Sequence, residues 1–243
     1  MTWLQLDPES VAGRVARLPA VPAPPSLLAS LARGVIGFTV VSIAGFLPWA
    51  LAGGWLKQAI GELGMYLSCA AVFLLLSGPL LYRLILGPGA LIRFMVLFML
   101  AFSAYATLWI IAWMTLHGHV GSLVGLASGT AAMGLLFCAA FGDASAIVPV
   151  IILLFTGNVL GYYAGGGAEA WVAGLGPPGI LGIVLEKPPP RALAMLSWGV
   201  CYGIGFGAGI GLAFHRCQTR HRALIGDAGR AEATAGAPPG ASA

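Results

Sequence analysis

Six apolar runs divide the chain, near 32–53, 62–84, 92–114, 120–141, 146–165 and 192–214. Each is close to the ~20 residues that a helix needs to cross a bilayer. The pattern predicts an all-α membrane protein, a six-transmembrane-helix bundle. Residues 26–216 form its single membrane domain, after an N-terminal tail with a Pro-rich linker (1–25) and before a disordered, Ala/Gly/Pro-rich C-terminal tail (217–243). Within the first tail, Glu9 to Leu18 reads as a short amphipathic helix with Val11, Val15 and Leu18 on one side. Its alternatives are to lie on lipid headgroups or to be solvated.

The last run carries six glycines between Ser197 and Leu212. On a helix turning about 100° per residue, Gly199, Gly203, Gly207 and Gly211 form one ridge, with Gly205 and Gly209 on roughly the opposite side. Small residues four apart let helix backbones approach closely, which is a principal source of helix association in lipid. This helix is therefore expected at the centre of the bundle. The fourth run repeats the device with Gly121, Gly125 and Gly129 and is the expected partner of the sixth.

The third run contains no glycine. Its aromatics Phe94, Phe98, Phe102, Tyr105, Trp109 and Trp113 fall on one face at helical spacing. A stripe of this kind either fills the core or walls a cleft for a flat or chain-like apolar ligand such as a quinone, polyprenol or carotenoid. The fifth run holds Asn158, and the segment 166–191 is the longest connection, with an apolar stretch Ile180 to Leu185.

Composition and charge sharpen the class. The chain is 59% hydrophobic and 8% charged, with a mean hydropathy of +0.92, against about 25% charged residues in soluble domains. With the N-terminus inside, nine basic residues (Arg14, Arg17, Arg33, Arg83, Arg93, Arg216, Arg220, Arg222, Arg230) lie on the cytoplasmic side and three (Lys57, Lys187, Arg191) outside. That bias orients both termini inward and assigns the protein to the cytoplasmic (inner) membrane. It also accounts for the basic pI without nucleic acid. Four cysteines without paired spacing give no disulfide framework.

No Asp, Glu, Lys, Arg or His lies near the middle of a run, which argues against proton relays, ion-coupled transport and voltage sensing. The Ala127-Ser128-Gly129 stretch invites comparison with rhomboid proteases, but Leu126 stands where their Gly-x-Ser-Gly motif begins, and His215 lies only at the end of the last run. The uncharged polar residues Ser42, Tyr105, Ser128, Thr130, Asn158, Cys201 and Tyr202 share a depth. They either line a cavity or bond neighbouring helices and their own backbone. His117 and His119 with Glu62, Glu169 or Glu186 at the outer rim, and His215, Cys217 and His221 at the inner, are loose metal patterns. A solvated turn and a headgroup-binding surface explain them more simply, so no metal, catalytic residue or cofactor is assigned.

The ligand-binding candidates are Phe102, Tyr105, Trp109, Asn158 and Tyr202. Three functions follow: binding or translocation of a small neutral or apolar molecule from the outer half of the membrane; a non-catalytic subunit or assembly factor that docks partner helices on its Gly ridges; and an enzyme working at the outer face. The expected partners are the lipid bilayer with either such a molecule or other membrane subunits, and no nucleic acid.

Overall fold

The structure, a computed structural model, describes residues 4–20, 23–174 and 191–235. Among these it is wholly helical, with seven α-helices: α1 (Pro8–Val15), α2 (Leu27–Leu81), α3 (Ala90–Leu116), α4 (Gly118–Phe141), α5 (Ile147–Gly174), α6 (Arg191–Cys217) and α7 (Thr219–Ala235). Five stretches are long and apolar enough to cross a membrane. This is a multi-pass helical membrane protein.

The first two apolar runs belong to one helix, α2, broken at a single residue, Gly61, whose φ of 75° and ψ of 174° leave the helical region. Only glycine adopts that conformation freely. The arms on either side fold back on each other. A Cβ on Gly53, Gly45 or Gly37 would meet Met65, Phe73 and Leu81 respectively, an antiparallel series. Turns elsewhere follow the same chemistry: Gly87 and Gly89 have positive φ before α3, and Gly142 after α4. Helix starts are capped by side-chain oxygens, with Ser26 accepting from the Ala29 amide and Asp7 from that of Ser10.

α6 lies between the first arm of α2 and α5. A Cβ on Gly207 would stand 2.5 Å from the Gly34 carbonyl oxygen, one on Gly211 2.5 Å from that of Ser30, and one on Gly203 2.5 Å from the Thr39 Cα. On the other side, Gly205 meets the Gly157 and Gly161 backbones at 2.6 Å, and Gly209 meets the Leu153 carbonyl at 2.8 Å. Close approach at both surfaces is backbone against backbone.

The α4 ridge behaves differently from expectation. Gly121, Gly125 and Gly129 pack on Ala112, Trp109 and Tyr105 of α3, not on α6. The reason is local: α3 and α4 are joined through His117 alone, so they form an antiparallel hairpin, and the bulky face of α3 needs a smooth neighbour. α5 also continues through Gly165-Gly166-Gly167 to Gly174, beyond the expected end of the run. The apolar stretch Ile180 to Leu185, with Glu186 and Lys187, lies outside the described residues.

The tail expected to be disordered from residue 217 contains α7. Its Ile225 packs with Val11 and Val15 of α1 in a small separate core, with Leu18 and Leu86 alongside. The apolar face of α1 is therefore covered by protein instead of facing lipid or water. His221, fully buried, donates through Nε2 to the Leu6 carbonyl at 2.7 Å. Its Nδ1 is buried without a partner. Burial lowers the His221 pKa from its ordinary value of 6.5, an effect partly opposed by the Leu6 bond. A depressed histidine pKa gives stability that is fully present above the unfolded value and is lost as pH falls through the folded one. Acidification below about pH 6.5 is therefore expected to loosen the segment from Leu4 through α1. Amide exchange of α1 checks this: protection relative to the intrinsic rate falls at low pH in the wild type, and that dependence is lost in His221→Leu.

Candidate functional site

α3 carries the site, and its stripe divides in two. The half nearer the N-terminus of α3 is core. Phe94, Phe98 and Phe102 stack in sequence with ring centroids 5.3 and 5.4 Å apart, against Phe214 of α6 and Phe73 of α2. The half nearer the C-terminus of α3 faces a partly open cavity of about 350 Å³ bounded by both arms of α2, α3, α5 and α6. Eleven of its sixteen lining residues are aromatic, and none is charged. The glycines of α4 seat this wall: a Cβ on Gly125 would come within 2.9 Å of the Trp109 Cα, and one on Gly129 within 2.5 Å of the Tyr105 ring.

The five candidate residues are gathered at this place but not in the same role. Phe102, Tyr105, Trp109 and Tyr202 line the cavity. Asn158 does not: it is fully buried on α5 behind the wall. Its amide donates to the Tyr105 hydroxyl at 3.0 Å, which lies 3.1 Å from that of Tyr202. The return contact from Tyr105 to the Asn158 carbonyl oxygen is long, 3.5 Å. Asn158, Tyr105 and Tyr202 thus form one buried hydrogen-bonded chain, in which either tyrosine can donate to the other.

Around this chain the polar groups divide sharply. The Tyr66 hydroxyl donates to Glu62 at 3.1 Å. The Ser122 hydroxyl donates to the Gly118 carbonyl, so Tyr162, 3.0 Å away, donates to Ser122. The indole nitrogens of Trp109 and Trp198 are buried with no partner among the described residues. Of the other uncharged polar residues, Ser128 and Thr130 bond their own i−4 carbonyls, and Ser42 is buried without a partner, away from the cavity lining.

Sequence reasoning missed the opposite wall, where Phe46, Trp49, Tyr66 and Trp198 complete the cavity. A signal existed in the glycines facing them: Gly53 accommodates Trp49, and Gly165 accommodates Trp198. Gly157, Gly161 and Gly165 stand at four-residue spacing like the ridges of α6.

The loose metal patterns separate. His215 Nδ1 lies 3.1 Å from the Ser30 hydroxyl, Cys217 faces Cys138, and His221 bonds Leu6. At the other rim, Glu62 pairs with Lys57 at 3.4 Å, and His119 stacks on Tyr163. Among the described residues no three His, Cys, Asp or Glu side chains cluster as a metal site. No family model, no curated protein and no solved structure matches the chain.

Proposed function

We propose that this protein binds or translocates a small neutral or apolar molecule taken from the outer half of a cytoplasmic membrane, which it crosses six times with both termini inside. The observation that carries the reading is the cavity. At about 350 Å³ it falls in the range of small-molecule sites, which combine apolar walls with a few orienting polar groups. Its uncharged lining suits a neutral occupant. The antiparallel arms about Gly61 support six crossings, and the nine-to-three distribution of basic residues supports the orientation.

The subunit reading called for a Gly ridge free to dock a partner. Both ridges of α6 are covered within the chain, which favours the binding reading. Of the residues that the outer-face enzyme would use, Glu62 is engaged by Lys57 and Tyr66, and His119 stacks on Tyr163.

Mass spectrometry of extracts tests the proposal. The purified wild type is expected to carry a small molecule beyond bulk lipid, and Ala106→Trp, which fills the cavity from α3, is expected to lose it while remaining folded. A wild type that carries nothing and binds no apolar probe returns the subunit reading. Orientation is checked by labelling cysteines introduced at 175–190 and 236–243. Reactivity of the first set alone from outside is expected, and same-side labelling of both would remove the six-span topology.

A further inference from the structure

Resting on the ligand-binding reading above, a finer inference follows from where the cavity opens. The second arm of α2 and α3 run antiparallel and meet at three levels. Gly78 faces Met95, whose Cγ would stand 2.5 Å from a Cβ there. Phe73 stacks on Phe102 with ring centroids 5.5 Å apart, and Tyr66 meets Trp109 edge-on at 5.9 Å. Between the two ring pairs the seam holds Ala70 and Ala106. Both line the cavity and also a shallow groove of about 180 Å³, at the surface of the bundle, where Leu67 is 54% exposed. The rings stand seven residues apart on each helix, 66 to 73 and 102 to 109, which is about 10 Å at 1.5 Å per residue. Two methyl groups thus stand where rings close the seam on either side. With the rings filling part of that span, the gap has the width of one hydrocarbon chain.

The depth of this gap restricts what meets it. Ala106 lies ten residues before the end of α3 at Leu116, about 15 Å along the axis. Ala70 lies nine residues past the break at Gly61, about 14 Å. Each is close to half of the ~30 Å hydrocarbon core, so the groove opens among lipid chains, far from headgroups. Its walls, such as Leu67, Ala71, Leu74, Ser103 and Thr107, carry no charge, and neither do those of the cavity. Apolar cavities exclude water, and a lining with no partner atoms forfeits its dispersion contacts. A hydrocarbon chain already in the bilayer gains those contacts without first being desolvated.

We infer that the ligand is a single-chain neutral lipid, taken up chain first and sideways from the bilayer through a portal at Ala70 and Ala106. Its linear hydrocarbon chain, straight or prenyl, lies along the aromatic wall of α3, and its head stays outside the cavity. At about 350 Å³ the cavity is near the lower end of ligand sites, about 300–1,000 Å³, and takes a stretch of one chain. A phospholipid suits it poorly: its charged head is held at the membrane surface about 15 Å away, and a gap of one chain's width does not pass two.

Photolabelling of the purified full chain in nanodiscs tests this with three diazirine probes. The first is hexadecanol with the diazirine near the end of its chain. The second is phosphatidylcholine with the same group on one acyl chain. The third, trifluoromethylphenyldiazirine, is compact and has no chain. Mass spectrometry locates the adducts. Tyr105 and Tyr202, 5% and 7% exposed, report the cavity, and Ile152 on α5, 56% exposed, reports the surrounding lipid. Relative to Ile152, the hexadecanol probe is expected to label the two tyrosines at least fivefold more than the phosphatidylcholine probe does. Ala71→Phe and Thr107→Phe narrow the groove from opposite sides without lining the cavity. Each is expected to cut tyrosine labelling by the hexadecanol probe at least fivefold. Equal tyrosine labelling by the two chain probes overturns the single-chain ligand. Undiminished labelling in both groove variants overturns the portal. If neither chain probe reaches the tyrosines but the compact one does, the chain ligand falls and the cavity reading stands. If none of the three reaches them, the ligand-binding reading falls as well.

Discussion

Leucine at Gly207 is expected to prevent the bundle from assembling. A Cβ there already stands 2.5 Å from the Gly34 carbonyl oxygen and 3.0 Å from the Phe38 Cβ. The first is backbone and cannot rotate away. Inserting even a methylene into a packed interior costs about 1–3 kcal/mol, and a whole isobutyl group must separate α6 from α2. Gly205→Leu should do the same at the α5 surface, where the Gly157 and Gly161 backbones lie at 2.6 Å. Gly166→Ala is the control. It sits within α5 with nothing inside 4 Å of its Cβ position, and helix propensity makes it neutral or stabilising by up to about 1 kcal/mol. Fluorescence-detected size exclusion after heating separates the three. Tolerance of leucine at either ridge would mean that this face of α6 is open to lipid in the folded protein.

Asn158→Leu is expected to act on two properties at once. The substitution keeps the bulk of the side chain and removes the amide that donates to Tyr105. Interhelical hydrogen bonds in membranes contribute modestly, so stability should fall by about 1–2 kcal/mol. The effect on the ligand is less direct. Asn158 holds the Tyr105 hydroxyl at the cavity wall without lining the cavity itself. On the ligand-binding reading, the purified variant should lose the co-purifying small molecule while remaining folded, as read by mass spectrometry of extracts. A variant with lowered melting temperature and an unaltered bound molecule would reduce Asn158 to a packing residue.

Ring packing fixes the walls of the cavity in a bundle poor in charge. Fully buried Phe38 meets Phe73, Phe98, Phe206 and Tyr202 edge-on or tilted at 5.2–6.5 Å. Ring packing of this kind leaves few alternative rotamers, so the hydroxyls and indoles around the cavity are held in place before anything binds. The glycine contacts serve the same end. α6 cannot shift against α2 or α5 without backbone collision, and α4 holds Tyr105 and Trp109 from behind.

The sequence by itself determined the features set by local physics. The six apolar runs reflect the length of helix that hydrocarbon requires. The four-residue glycine spacing and the one-sided aromatic stripe follow from the helical period, and the emptiness of the runs' centres in charge from the cost of burying ions. Even the helical potential of Glu9 to Leu18 was visible in the spacing of Val11, Val15 and Leu18. What only the tertiary structure decided was which surface meets which. A ridge of small residues says that some backbone will approach closely and does not say whose, because lipid offers no hydrophobic gradient to rank the partners. Hence Gly121, Gly125 and Gly129 face α3, the partner supplied by a tight hairpin, although the α6 glycines matched them equally well in pattern. The same indifference hid the division of the stripe into core at Phe94 and Phe98 and cavity wall from Phe102 to Trp113, since every one of its residues is aromatic. It also hid the docking of α1 on α7: Val11 and Ile225 are distant in sequence, and neither is apolar enough in its own segment to announce a core.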